Sequence, residues 1–227
     1  MIFDPMYIVF VGPGLLLALW ATWRVKSTFA KFSQVSIASR KSGAEVAAEL
    51  LERSGIRDVR VELHQGFLSD HYHPGEKVVR LSPDVYHGRS VSAVGVAAHE
   101  VGHAIQHQQK YGAMALRQSM VLPANIGTYG SYIVIVIGFL VQQTGLIWAG
   151  IALFGLVVLF QLVTLPVEFN ASTRAKEQLV ATGIVGREEG QAVAKVLNAA
   201  AMTYVAALIT SILTLLYYIY RFTGSRR

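Results

Sequence analysis

His99, Glu100 and His103 fall within five consecutive residues, His99-Glu100-Val101-Gly102-His103. On an α-helix, positions four apart lie on one face about a turn apart. Both imidazoles can therefore turn to a single Zn²⁺, while Glu100 projects beside them toward a water that the metal activates. A hydrolytic zinc site keeps three protein ligands and leaves a fourth position open, so one ligand must come from elsewhere. The chain has no cysteine, which excludes thiolates and disulfides. A third His six residues after His103 would fit one protease class, but Gln109 stands there and the intervening Gly of that pattern is missing. A distant carboxylate remains. Glu168, in Leu165-Pro166-Val167-Glu168-Phe169-Asn170-Ala171-Ser172, is the best placed, with an interfacial carboxylate beside Arg174 as the competing assignment. Glu177, Glu188 and Glu189 read as solvated faces of a charged helix. His107 continues the motif's helical face, but eight residues from His99 is about 12 Å, too far to share one tetrahedron. His64 reads as structural. Donors for a developing oxyanion are to be sought among His71, Tyr72, His73, Tyr86, His87 and Arg174.

These residues must be positioned by neighbouring elements. Ser42-Gly43-Ala44-Glu45 has the form of a capping box; its helix would bury Val46, Leu50 and Leu51 and stop at Gly55. Val59, Val61 and Leu63 alternate with polar residues as a half-buried strand does. Asp70 to Glu76, with Pro74-Gly75, reads as a turn, and Lys77 to Ser82 as a second strand, equally a plain core strand or one whose edge could pair with an extended substrate. The motif helix opens at Arg89 or Ser90 and runs to about Gln109. Gly102 inside it costs helix propensity and is best explained by another element packing closely there.

The rest of the chain is strongly apolar. Of 227 residues, 53% are hydrophobic and 15% charged, and the mean hydropathy is +0.43. Tyr7 to Trp23 is an apolar run with Asp4 before it and Arg24 after it; this charge order opposes a signal peptide and favours an uncleaved anchor. A juxtamembrane helix over Ser27 to Ser39 follows. Ser119–Gln143 and Leu146–Val167 are each long enough to span a bilayer, which takes about 20 residues. No charged side chain occurs between Ser119 and Pro166. Ala199–Tyr220 is a fourth span, closing on the interfacial aromatics Tyr217, Tyr218 and Tyr220. The segments are therefore an N-terminal anchor (1–24), a polar segment with the motif helix (25–118), a transmembrane hairpin (119–167), a second polar segment carrying Glu168 (168–198), and a last span with its tail (199–227).

Residues 24–118 and 168–198 hold 17 of the 20 Lys and Arg residues, which favours the cytoplasmic side for both. Arg221, Arg226 and Arg227 would then lie outside, against the rule. The net charge of +6 accordingly records orientation and anionic lipid; there is no nucleic-acid motif or basic face interleaved with aromatics, and no nucleic-acid partner is expected. A transporter is disfavoured because the spans carry no ionisable residue near mid-membrane. An intramembrane protease is disfavoured because the motif helix is only weakly apolar.

The run Val78-Val79-Arg80-Leu81-Ser82, the helix with His-Glu-Val-Gly-His, and Glu168 after a transmembrane hairpin together resemble the membrane-bound gluzincins. They are most similar to the YugP-like neutral zinc metallopeptidases, distant relatives of the HtpX and CAAX-prenyl endopeptidase groups. The similarity extends over nearly the whole chain, including Asp70-His71-Tyr72 and Asp84-Val85-Tyr86-His87-Gly88-Arg89-Ser90. It implies Glu168 as the third ligand of one Zn²⁺ per chain, with Glu100 as general base. The broader relatives carry Asp four residues after that Glu, where this chain has Ser172; Asn170 or Ser172 would have to orient a ligand imidazole instead. The expectation is an α-rich membrane protein with about four transmembrane helices and a small cytoplasmic α+β metallopeptidase domain. It would be an endopeptidase in a bacterial cytoplasmic membrane, acting on protein or peptide substrates at or in the bilayer. A catalytically inactive zinc-binding scaffold is the alternative.

Overall fold

A computed structural model describes residues 4–223; Arg226 and Arg227 of the expected outer tail lie outside the described residues. The elements in chain order are α1 (Pro5–Ser33), α2 (Gly43–Arg53), β1 (Arg60–Leu63), β2 (His71–His73), β3 (Val78–Leu81), α3 (Pro83–Tyr86), α4 (Val91–Gln108), α5 (Gly112–Leu140), α6 (Thr144–Ala181) and α7 (Arg187–Thr223). They group into two units. One comprises the chain up to Thr22, Ala113–Pro166 and Met202 onward; the other comprises Trp23–Gly112 and Val167–Ala201.

The first unit consists of the apolar parts of α1, α5, α6 and α7, which among the described residues are the four helices long and apolar enough to cross a membrane. Only 17–22% of the residues in each apolar window are buried, and Leu16, Leu122, Tyr129 and Leu140 are exposed. In water such surfaces would aggregate; hydrocarbon is the solvent that permits them. This is a membrane protein. Small residues let its helices approach: a Cβ on Gly138 would come within 2.8 Å of the Ile147 nitrogen, and one on Gly150 within 2.9 Å of the Ser131 carbonyl oxygen, as in other close membrane-helix crossings. Asp4 accepts a 2.9 Å hydrogen bond from the Tyr217 hydroxyl and pairs with Arg221 at 3.4 Å. The start of the first apolar helix and the end of the last therefore lie together, as an even number of crossings requires.

The second unit is built on α2 and α4. Ser42 and Glu45 form the capping box, and α2 buries Val46, Ala47, Leu50 and Leu51 before the chain leaves it through Gly55 at φ +71°. These side chains share one core with Val94, Ala97, Val101 and Ile105 of α4, with Ala175 and Leu179 of α6, and with Val193 and Leu197 of α7. Two sequence expectations change. The anchor and the juxtamembrane segment are one helix as far as Ser33, because no breaker separates them; residues 34–41 then run without helix, bridging Ser36 to Ser90 and burying Ile37. Glu189 is more than a solvated side chain, since its carboxylate accepts from the main-chain nitrogens of Ala38 (2.7 Å) and Gly186 (2.8 Å).

The sheet has the order β1-β3-β2, with β1 parallel and β2 antiparallel to β3. The segment read as a turn over Asp70–Glu76 thus contains β2, with Pro74-Gly75 in the hairpin that returns to β3. His-Tyr-His carries no apolar alternation, so the pattern gave no strand signal. In consequence β3 is central, with Val78, Val79 and Leu81 buried, and both its edges are already paired. Of the two readings of Lys77–Ser82 the core strand is the one observed, and the free edges of the sheet belong to β2 on one side and to β1 on the other.

Candidate metal centre

Helix α4 begins on Ser90, whose hydroxyl accepts from the Ala93 nitrogen, and it carries His99 and His103 one turn apart on one face, with Glu100 beside His99 about a third of a turn round the helix. Helix α6 brings Glu168 to them across a close contact. Gly102 makes that contact possible: a Cβ there would stand 2.6 Å from the Ala171 carbonyl oxygen and 3.2 Å from its Cα. Glu168 lies one turn before Ala171, so the absence of a side chain at 102 sets how near its carboxylate can come.

Glu168 Oε2 is 3.2 Å from His99 Nε2 and 3.5 Å from His103 Nε2, and the three ligand atoms all lie within 4.8 Å of one another. The Glu168 side chain is 2% exposed, against 14% for His99 and 9% for His103; the open side of the cluster is therefore on the imidazoles. Burial opposes charge on His103, yet the Glu168 carboxylate beside it, with a further contribution from Glu100, holds the imidazole above its ordinary pKa. Three such groups facing one point could hold a cation.

The remaining ring nitrogens are engaged. His99 Nδ1 is 3.2 Å from Ser172 Oγ, and His103 Nδ1 is 3.0 Å from Gln106 Oε1. Gln106, wholly buried, donates from Nε2 to the Val167 carbonyl (2.8 Å) and to Asn170 Oδ1 (2.9 Å). Asn170 Oδ1 also accepts from Arg174 Nε at 2.7 Å, and another guanidinium nitrogen of Arg174 donates to Gln109 Oε1 at 2.7 Å.

The family model described as "Putative neutral zinc metallopeptidase" matches residues 7–223. The chain belongs to that family. A curated relative, "Putative membrane protease YugP" of Bacillus subtilis (strain 168), is 46% identical over 221 residues, which is 97% of this chain and 98% of the relative. No solved structure gives a significant match.

The geometry fits the metal in the family's description. With zinc–ligand bonds of about 2.0–2.2 Å, the donors of a tetrahedron stand about 3.3–3.6 Å apart. Of the two His–Glu168 separations, 3.5 Å falls within that spacing and 3.2 Å lies just below it. His99, His103 and Glu168 could therefore hold the ion.

Glu100 points to a different neighbour. It is buried, and its Oε2 accepts a 2.9 Å hydrogen bond from the main-chain nitrogen of Tyr72 in β2. Asp70, just before β2, is pushed up in pKa by burial; hydrogen bonds from Ser82 oppose this and the Glu100 charge adds to it. The Tyr72 hydroxyl lies 2.8 Å from His107 Nδ1, and burial, with the Asp58 charge, pushes its pKa up to about 12; it stays a donor. His71 Nδ1 sits 2.8 Å from the Ser69 carbonyl oxygen, its ring against His64. Of the candidates drawn from sequence, Ser172 touches the His99 imidazole, and Asn170 and Arg174 reach that of His103 only through Gln106. The side chains of His71 and Tyr72 are engaged elsewhere. Sequence reading missed Gln106 and the Tyr72 amide. A Gln three residues after a ligand His is a usable signal, being on the same helical face; a main-chain donor leaves none.

Proposed function

We propose that the chain is a membrane-bound zinc endopeptidase of the gluzincin type. It holds one Zn²⁺ between His99, His103 and Glu168, at the cytoplasmic face of a bacterial cytoplasmic membrane. The observation that carries this reading is the arrival of the buried Glu168 carboxylate at both Nε2 atoms, with Glu100 on the adjacent position of the same helix. Bound there, zinc supplies Lewis acidity, polarising a scissile carbonyl and making water nucleophilic near neutral pH. Glu100 takes the proton of the attacking water as its oxygen bonds to the carbonyl carbon. It then delivers that proton to the amine nitrogen as the C–N bond breaks. The Tyr72 amide holds Oε2 of Glu100 and leaves Oε1 for this transfer.

Substrates are proteins or peptides in or beside the bilayer, a reading that rests on the location of the site and on the relative named as a membrane protease. A scaffold that binds zinc without catalysis would have no need of a carboxylate fixed at position 100. The test uses the full chain in detergent, with zinc content and cleavage of an unfolded membrane protein measured for wild type and Glu100→Gln. The variant should keep its zinc and lose cleavage by about 10²–10⁴-fold, the usual contribution of a general base. Zinc without cleavage in the wild type would favour the scaffold; undiminished cleavage by the variant would remove Glu100 from the mechanism. Because the chain lacks cysteine, a single Cys introduced at position 107 and labelled from either side reports the sidedness.

A further inference from the structure

We infer that Gln106 is a positioning residue, fixing His103 as the Nδ1–H tautomer so that its Nε2 lone pair faces the metal. The inference rests on the zinc reading above and follows from which groups can only donate and which can only accept. A guanidinium has donors alone, so Arg174 Nε, 2.7 Å from the Asn170 amide, obliges Asn170 to present its oxygen. That oxygen, 2.9 Å from Gln106, obliges Gln106 to answer with an N–H. The Val167 carbonyl, 2.8 Å away, is likewise an acceptor only and takes the second N–H. Both donors of the Gln106 amide are then committed, and its oxygen faces His103 Nδ1 at 3.0 Å. An acceptor in that position requires a proton on Nδ1. The orientation of each amide is thus set by the charged end of the chain of bonds.

The two imidazoles differ in this respect. His99 Nδ1 meets the Ser172 hydroxyl, a rotor that can donate or accept and so imposes no tautomer. His103 is held by a closed sequence of four side chains tied to the backbone of α6 near Glu168. An uncharged amide orients the ring without adding negative charge to the site, whereas a carboxylate, the usual partner of a metal-binding imidazole, does both.

The experiment uses the full-length protein in detergent and reads zinc affinity by chelator competition. Imidazole ¹⁵N shifts of the zinc-loaded protein give a second readout. Gln106→Met keeps the side-chain length and removes every hydrogen bond. It should weaken zinc binding by about 10–100-fold, the usual loss when the partner of a ligand imidazole is removed. Asn170→Leu should fall in the same direction, while Asn170→Asp, which keeps an oxygen between Arg174 and Gln106, should stay close to wild type. In wild type the His103 signals should show a protonated Nδ1 and a metal-bound Nε2. Unchanged affinity in Gln106→Met, equal affinities in the two Asn170 variants, or metal on Nδ1 would each overturn the inference while leaving zinc binding intact. A folded wild type that binds no zinc would overturn the zinc reading itself, and this one with it.

Discussion

Replacing Gly102 with Ala sets two effects against each other, and the structure decides between them. In an exposed helix interior the change would stabilise by about 1 kcal/mol through propensity. Here the added methyl would lie 2.6 Å from the Ala171 carbonyl oxygen, a backbone atom of α6 that no side-chain rotation can move aside. Opening that gap to an ordinary 3.4 Å contact needs a shift of about 0.8 Å between α4 and α6. Overpacking of this kind costs about 1–3 kcal/mol, so the net change in stability is a loss of about 0–2 kcal/mol after the propensity gain. The effect on the metal is larger, because Glu168 is one turn from Ala171 and moves with it. Ligand distances tolerate about ±0.2 Å, a quarter of the displacement, and zinc affinity should fall by at least about tenfold, the lower end of losses seen for misplaced ligand shells. Chelator competition and thermal unfolding on the same preparation separate the two terms. Gly95→Ala is the control: its Cβ would meet only a Val193 methyl at 3.3 Å, which can yield, and zinc binding should be unaffected. A Gly102→Ala protein with wild-type affinity and melting would show that this contact does not set the position of Glu168.

Two further substitutions probe the groups around the ligands. Tyr72→Pro removes the main-chain donor to Glu100 without breaking the sheet, since that N–H points away from β3 and proline is tolerated on an edge strand. Compared with Tyr72→Ala, which loses the same phenol, it should lower kcat by about tenfold, the value of one hydrogen bond to a charged group; equal kcat values would release the amide from that role. Ser172→Ala should weaken zinc binding by about tenfold and Ser172→Asp should restore or exceed wild-type affinity, because either an oxygen or a carboxylate can hold His99 Nδ1. Identical dissociation constants for the three proteins would count against any such role for position 172.

How much of this was legible beforehand follows the range of the interactions. The capping box of α2 and the face of α4 are local, fixed by residues three or four apart, and the Ser42–Glu45 cap and the shared helix face of His99 and His103 needed nothing more. The apolar helices were equally plain, since a run of 20 residues without charge has few other uses. β2 was missed because three residues of His-Tyr-His become a strand only through pairing with β3. Glu189 was misread because its partner Ala38 is 151 residues away. Gly102 lies between these cases: a glycine inside a helix is reason to expect a close neighbour there, but not that it is Ala171.

The same distinction explains why the centre cannot be reduced to its motif. Five residues on α4 supply two imidazoles and the Glu100 carboxylate, yet each of these groups depends on an atom outside the motif for its orientation. Ser172 meets His99, Gln106 meets His103, and the Tyr72 amide meets Glu100. Two of the three are reached through α6 or β2, so the spacing between α4 and those elements controls ligand geometry and base position together. A substitution that widens the α4–α6 contact should therefore impair zinc binding before it unfolds the helix carrying the motif. One that frees β2 from α4 should instead impair turnover while leaving zinc in place. The opposite pairing of effects would mean that the motif alone organises the site.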